Sequence, residues 1–301
     1  MEAPEQCEPI IILDPDQEEL DLNHGRVGKI ENLEPLRNLQ RLYLRWNQIK
    51  VIENLDTLSS LEELELYDNQ IVKIENLHAL VNLKLLDISF NRLHNIENLN
   101  SLVTLEKLFL CSNRISTIEN LSSLSNLTML ELGDNKIREI KNLDSLTNLT
   151  HLYLGKNKIT TIQNLDKLTN LVCLSLQNNR VTKIENLDNL VNLTELYLSE
   201  NGIEKIENLE KNEKIETLDI AKNRIKAIEN VEHLSAMEEF WANDNQISSW
   251  NSLDQLKANK KLETVYLERN PIAADVQYRR KISLAIPWLK KIDATLCTSN
   301  Q

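Results

Sequence analysis

Residues 42–63 read LYLRWNQIKVIENLDTLSSLEE, and residues 64–85 read LELYDNQIVKIENLHALVNLKL. Laid over one another they share the frame LxLxxNxIxxIENLxxLxNLxx, with Ser60 as the departure in the first copy. The frame runs on in both directions. Asparagine recurs at Asn47, Asn69, Asn91, Asn113, Asn135, Asn157, Asn179, Asn201, Asn223 and Asn245, every gap being 22 residues. Backwards, Leu20 to Leu39 fits with Gly25 in the asparagine's place. Forwards, Asn270 follows after 25 residues, which marks an insertion of three around Lys257 to Lys260. That makes twelve units, the first degenerate. The composition follows from the repeat: 54 Leu and 37 Asn in 301 residues.

A period of 20–29 residues with L-x-x-L-x-L-x-x-N is the leucine-rich-repeat pattern. The x-L-x-L-x segment alternates at period two, so it reads as a short strand with its leucines inward. Successive strands pair in parallel and line a concave face. The asparagine ends the strand, and its amide can donate to and accept from the backbone of adjacent turns. The IxxIENLxxLxNL part spaces apolar residues at three and four, which predicts a short α or 3₁₀ convex segment. The expected fold is therefore an α/β leucine-rich-repeat solenoid of about twelve 22-residue repeats, with a C-terminal helical cap. Its expected organisation is an acidic tail and N-cap over 1–15, the solenoid over 16–271, the cap over 272–296 and a tail over 297–301. In the cap, Val276, Ile282, Ala285 and Ile286 suit one helical face and Pro287 stops the helix, while Trp288, Leu289 and Ile292 close the last turn. Ile10 to Leu13 is expected to close the other end, behind an acidic, disordered stretch over 1–9.

Several classes of chemistry find no material here. The net charge is −12, which argues against a nucleic-acid binder. Five glycines occur, and neither GxGxxG nor GxxxxGK[ST] is present. Cys7, Cys111, Cys173 and Cys297 contain no CxxC, so they form neither a disulfide framework nor a zinc pattern and suit a reducing compartment. His24, His78, His94, His151 and His233 lack metal-ligand spacing, and HExxH and GxSxG are missing. Glu62–Glu63 and Glu238–Glu239 are neighbours on a strand, which point to opposite faces. The N-terminus lacks a basic n-region, and no run approaches the roughly 18 apolar residues of a membrane span. Asn120, Asn126, Asn148 and Asn192 stand in N-x-[ST] sequons that the repeat itself generates. The expectation is a non-enzyme without cofactor or metal, not bound to nucleic acid or membrane, and monomeric on its own.

The informative places are the middle x of each L-x-L, which point out of the ribbon. In order they are Asp21, Tyr43, Glu65, Asp87, Phe109, Glu131, Tyr153, Ser175, Tyr197, Asp219, Trp241 and Tyr266. Six of the 13 aromatic residues of the chain fall there, where random placement puts fewer than one. Five of the other six places are acidic. Trp46, Tyr67 and Phe90 also face the ribbon or its rim, and small residues line the next column: Ser89, Cys111, Gly133, Gly155, Ser199 and Ala221. Stacking of neighbours on a strand explains one or two rings. Exposed rings interleaved with carboxylates have the composition of a protein interface that suits a Lys- or Arg-rich partner.

The IENL unit, LDISFN at Leu86–Asn91, EEFWANDNQI around Trp241 and the close ETVYLERNP…QYRRKISLAIPWLKKIDAT add specific tracts at variable positions. With these, residues 15–295 closely resemble the regulatory-subunit-7 family of protein phosphatase 1. The resemblance implies a leucine-rich-repeat solenoid that binds the phosphatase catalytic subunit, in nucleus and cytoplasm, and forms a ternary complex with inhibitor 3. It implies partner contacts at Asp87, Phe109, Glu131, Tyr153, Glu239, Trp241 and Tyr266, to which the column adds Tyr43 and Tyr197. Short [RK]-V-x-[FW] docking peptides are used by many phosphatase regulators. Here Arg26-Val27-Gly28-Lys29 and Arg180-Val181-Thr182-Lys183 both fail at the last position, so binding would rest on the solenoid face. The acidic N-terminal extension is short, so the resemblance does not assure for it the role of a longer family tail. Another leucine-rich-repeat scaffold, of the splicing or ciliary type, would show the same fold with a different outward column.

Overall fold

A computed structural model describes residues 14–297. Each repeat contributes one three-residue strand. These are β1 (Glu19–Asp21), β2 (Arg41–Tyr43), β3 (Glu63–Glu65), β4 (Leu85–Asp87), β5 (Lys107–Phe109), β6 (Met129–Glu131), β7 (His151–Tyr153), β8 (Cys173–Ser175), β9 (Glu195–Tyr197), β10 (Thr217–Asp219), β11 (Glu239–Trp241) and β12 (Thr264–Tyr266). They pair in chain order as one parallel sheet, continued by β13 (Lys291–Ile292) and an antiparallel β14 (Thr295–Leu296). Register is constant: Leu20 faces Leu42, Leu42 faces Leu64, and so on along the ribbon. The central leucines point into one continuous core of Leu and Ile, nearly all without solvent contact.

No single unit can bury that stripe, so the core exists only because the turns stack. Stacking in turn leaves loop amides between layers, which must be paired. Asn135 shows how. Its Oδ1 accepts from the Ile115 N–H at 2.9 Å, and its Nδ2 donates to the Leu110, Leu132 and Gly133 carbonyls at 2.9, 3.1 and 3.1 Å. The same set recurs from Asn47 to Asn270. Beyond Asn270, Asp293 accepts from the Leu267 and Glu268 N–H groups and from the Tyr278 hydroxyl, ending the series.

The convex side differs from the expectation of helical segments. Two successive i→i+3 turns per repeat carry it, as in Leu58 N–H to Leu55 and Leu61 N–H to Leu58 at 3.0 Å each. The IENL asparagine is the reason a helix does not form. Asn54 sits at φ 59°, and its counterparts from Asn32 to Asn230 are all left-handed. Its Nδ2 donates to the Ile30 carbonyl of the previous turn at 2.7 Å. Asparagine tolerates that backbone better than other non-glycine residues. A further file, such as Asn82 to the Ser59 carbonyl at 2.9 Å, stands immediately before the leucine that precedes the next strand, here Leu83. Around the insertion the turns extend into a 3₁₀ helix, Trp250–Ala258, and a shorter one, Pro271–Ala274, follows Asn270.

The cap is a helix, α1 (Tyr278–Ala285), ending at Ile286 before Pro287. Tyr278, Ile282, Ile286, Leu289 and Ile292 are buried against the last turn, and the Trp288 Nε1 donates to the Asn259 carbonyl at 3.2 Å. Val276 departs from the expected face: it precedes the helix and is fully exposed. The proposed N-terminal closure by Ile10 to Leu13, the acidic stretch before it and the last four residues lie outside the described residues.

Removing one rung leaves buried amides unpaired, so Asn135→Ala should lose about 1–3 kcal/mol in urea melts; a loss under about 0.5 kcal/mol would show that the ladder is dispensable. Truncation before Asp275 strips the cover from the last turn. It should aggregate or lose cooperative unfolding, and a soluble truncate with an unchanged melt would refute the cap.

Candidate functional site

In a ribbon strand, x-L-x, the leucine goes to the core and both flanking residues face out. The register therefore lays Asp87, Phe109, Glu131 and Tyr153 side by side on β4 to β7. It sets Tyr197, Trp241 and Tyr266 on β9, β11 and β12, with Glu239 on the same strand face as Trp241. Tyr43 stands apart on β2. At about 4.8 Å per strand, Asp87 and Tyr266 are roughly 38 Å apart. The column is thus two patches on one surface, not one cluster.

The rings are half-buried rather than freely exposed. Trp241 contacts Tyr266 edge-on at 6.0 Å between centroids and Tyr197 at 6.3 Å. Tyr197 and Trp241 are two strands apart, so they lean across β10 and cover Asp219, which is 5% exposed. The Tyr197 hydroxyl donates to Glu195 at 3.0 Å. Lys291 lies over Tyr266 at 5.1 Å. The indole N–H of Trp241 is buried and has no acceptor among the described residues, an unmet donor in a region where most are met.

The acidic places have a backbone role that the sequence reading missed. Asp21, Asp87 and Asp219 accept from the N–H two residues on, at Asn23 (2.8 Å), Ser89 (2.8 Å) and Ala221 (3.0 Å). An aspartate before a turn forms this bond readily. The signal was legible as Asp followed at i+2 by a small or polar residue. Burial then raises the Asp87, Glu131 and Asp219 carboxyls above their usual range. Glu65, 5% exposed, goes furthest: burial and a hydrogen bond with Glu63 push it up to about 7, against the pull of its ion pair with Arg45. Adjacent acidic residues do point apart, but Glu63 and Glu65 are the i, i+2 pair that shares a face. Together with Asp21, Asn23, Tyr43 and Arg45 they line a shallow cleft of about 290 Å³.

Burial pushes the Cys111 and Cys173 thiols up to about 11 and about 12, away from the reactive thiolate. Among the described residues no three of His, Cys, Asp or Glu converge as a metal site, and no helix is long and apolar enough to cross a membrane. The sequon amides of Asn120, Asn126, Asn148 and Asn192 each donate to a carbonyl of the preceding turn.

The fold and this surface are those of a repeat scaffold. Family models described as leucine-rich repeat match residues 37–78 and 147–189, 103–159, and 194–296. The chain belongs to the leucine-rich-repeat proteins. Among curated proteins it is similar to protein phosphatase 1 regulatory subunit 7. The human protein is 62% identical over 49 residues, 16% of this chain and 14% of that protein, and the Danio rerio protein is 65% identical over 46 residues, 15% and 13% of each. Protein phosphatase 1 regulatory subunit pprA of Dictyostelium discoideum is 43% identical over 54 residues, 18% and 16% of each. The matched stretch therefore spans about a seventh of the human relative. In three dimensions the chain is similar to a Listeria monocytogenes internalin, with TM-score 0.74, 26% identity and coverage of 93% of this chain and 87% of that one. A Leptospira interrogans leucine-rich-repeat protein gives TM-score 0.77, 23% identity and coverage of 86% and 73%.

The raised carboxyls have a consequence for pH. The unfolded chain releases the Glu65 proton near 4.5, while the folded chain keeps it to about 7. The folded state then holds more protons, so stability falls as pH rises between those values. Glu65→Gln keeps an acceptor for Arg45 without the charge. It should flatten that fall, raising stability at pH 8 relative to wild type by on the order of 1–3 kcal/mol. Urea melts at pH 5 and pH 8 check this, and parallel losses in both proteins would refute it.

Proposed function

We propose that this chain is a non-catalytic regulatory subunit of protein phosphatase 1. It holds the catalytic subunit on its ribbon face and controls its activity, maturation or localisation, in nucleus and cytoplasm. The observation that carries the reading is the joined Tyr197–Trp241–Tyr266 face, with an unmet indole N–H, next to a carboxylate buried beneath it. Large rings bury 150–250 Å² each and dominate interface energetics. The desolvated carboxylates Asp87, Glu131 and Asp219 gain most from a basic partner, because a cation restores the charged form that burial penalises. The names of the similar curated proteins support the choice of partner. The contacting residues on this proposal are Asp87, Phe109, Glu131, Tyr153, Glu239, Trp241 and Tyr266, with Tyr43 and Tyr197 at the flanks. A ternary complex with inhibitor 3 belongs to the same proposal.

Purified catalytic subunit is titrated against wild type, Trp241→Ala and Lys141→Ala, each checked for folding by circular dichroism. Trp241→Ala should cost about 2 kcal/mol or more, roughly a thirtyfold loss. Lys141, paired with Glu139 on the far side, should be indifferent. Salt should weaken binding only in part, since carboxylates steer while rings bury apolar area. Equal affinity for all three would falsify the ribbon-face assignment. No binding by folded wild type would favour a different leucine-rich-repeat scaffold.

A further inference from the structure

The residue before each ladder asparagine, or before Gly25 in the first turn, forms its own row along the rim, and every member is left-handed, from His24 at φ 57° to Arg269 at φ 56°. In the C-terminal two thirds the row is polar and closed on itself. Lys156 pairs with Asp134 at 2.8 Å, Lys222 with Glu200 at 2.6 Å and Arg269 with Asp244 at 2.6 Å, each carboxylate meeting the cation of the next turn. Ser112 donates to Asp134 and Asn178 to Glu200. The first four turns break the rule. There the row reads His24, Trp46, Asp68 and Phe90, and Tyr67 leans in beside Asp68.

These rings form one file. His24 stacks on Trp46 at 4.4 Å and 6°, Trp46 meets Tyr67 at 5.6 Å, and Tyr67 meets Phe90 at 4.8 Å. Trp46 and Phe90 remain 42% and 43% exposed. Bulky side chains are uncommon at positive φ, so the turns hold two large rings in a conformation that Asn or Asp adopts with less strain. Asp68 is exposed, and where its counterparts have a cation on the next turn it has Phe90. It makes no ion pair among the described residues. The acidic cleft of Asp21, Glu63 and Glu65 adjoins, its Arg45 being tied to Glu65.

We infer that this rim is a second docking surface, distinct from the Trp241 patch, and that it takes an extended arginine-bearing segment of a partner protein. A guanidinium is planar, weakly hydrated and stacks on aromatic faces while its edge meets a carboxylate. The rings supply the face, Asp68 supplies the carboxylate seat that the rest of the row fills from within, and the cleft receives a following basic side chain. The net charge of −12 favours the approach of such a segment. The inference stands without the phosphatase reading, since the residues that decide it, Trp46, Asp68 and Phe90, and its probe are different ones.

The test is a nuclear magnetic resonance titration of the full chain with a blocked pentapeptide carrying two arginines between glycines, beside its citrulline twin, which keeps shape and loses charge. Saturable shifts of the Trp46 indole and of the Asp68 and Phe90 amides are expected, with citrulline at least tenfold weaker. Trp46→Ala should weaken the arginine peptide at least tenfold, and Trp241→Ala should leave it unchanged. Equal response to citrulline, shifts centred on Asp87 to Asp219 instead of the rim, or no saturable shift would each overturn the inference. The two peptides on wild type decide the matter even if Trp46→Ala fails to fold.

Discussion

Everything in this molecule depends on the pairing of loop amides between turns. A repeat that buries leucines on one side of a three-residue strand leaves a run of backbone N–H and C=O groups inside the stack. Water cannot reach them, and the strands are too short to pair them all. One asparagine per turn meets the need because its amide is both donor and acceptor and spans two layers. A shorter Ser or an acceptor-only Asp could not do both. Asp293 is the instructive exception. There an acceptor-only side chain takes the Leu267 and Glu268 N–H groups and the Tyr278 hydroxyl, and the series ends without a donated bond from the side chain.

That constraint makes the ribbon regular, and regularity is what the surface uses. Outward residues fall in straight columns one strand apart, so a ring on one strand touches rings one or two strands away. Tyr197 and Trp241 meet over Asp219 in this way. The same closeness strips water from the carboxylates, as seen in the raised Asp87, Glu131 and Asp219 carboxyls. The free protein thus holds charge in places where it is costly, which is affordable for a solenoid whose core is distributed over twelve turns.

The two ends of the ribbon are not equivalent. The C-terminal rim satisfies itself through ion pairs between turns, whereas the N-terminal rim carries rings and an unpaired Asp68. A solenoid permits such division because each turn contacts only its neighbours. One stretch of surface can change without disturbing another.

The sequence by itself determined the fold, through a 22-residue period whose leucines and asparagines have one stacked arrangement that buries the first and employs the second. It also placed Asp87, Phe109, Glu131, Tyr153, Trp241 and Tyr266 on one face, since alternation along a strand is a local property. Tertiary structure decided the rest. The second and third asparagine files were not legible, because their carbonyl partners lie 23 or 24 residues back and their left-handed backbone suppresses the convex helix that apolar spacing suggests. Val276 fell off the expected helical face because α1 starts only at Tyr278. The rings proved half-buried and the carboxyls raised, since burial on a ribbon depends on what leans over from neighbouring strands. The aromatic rim of His24, Trp46, Tyr67 and Phe90 mixes two sequence positions, and only the stacking of turns brings them into one file.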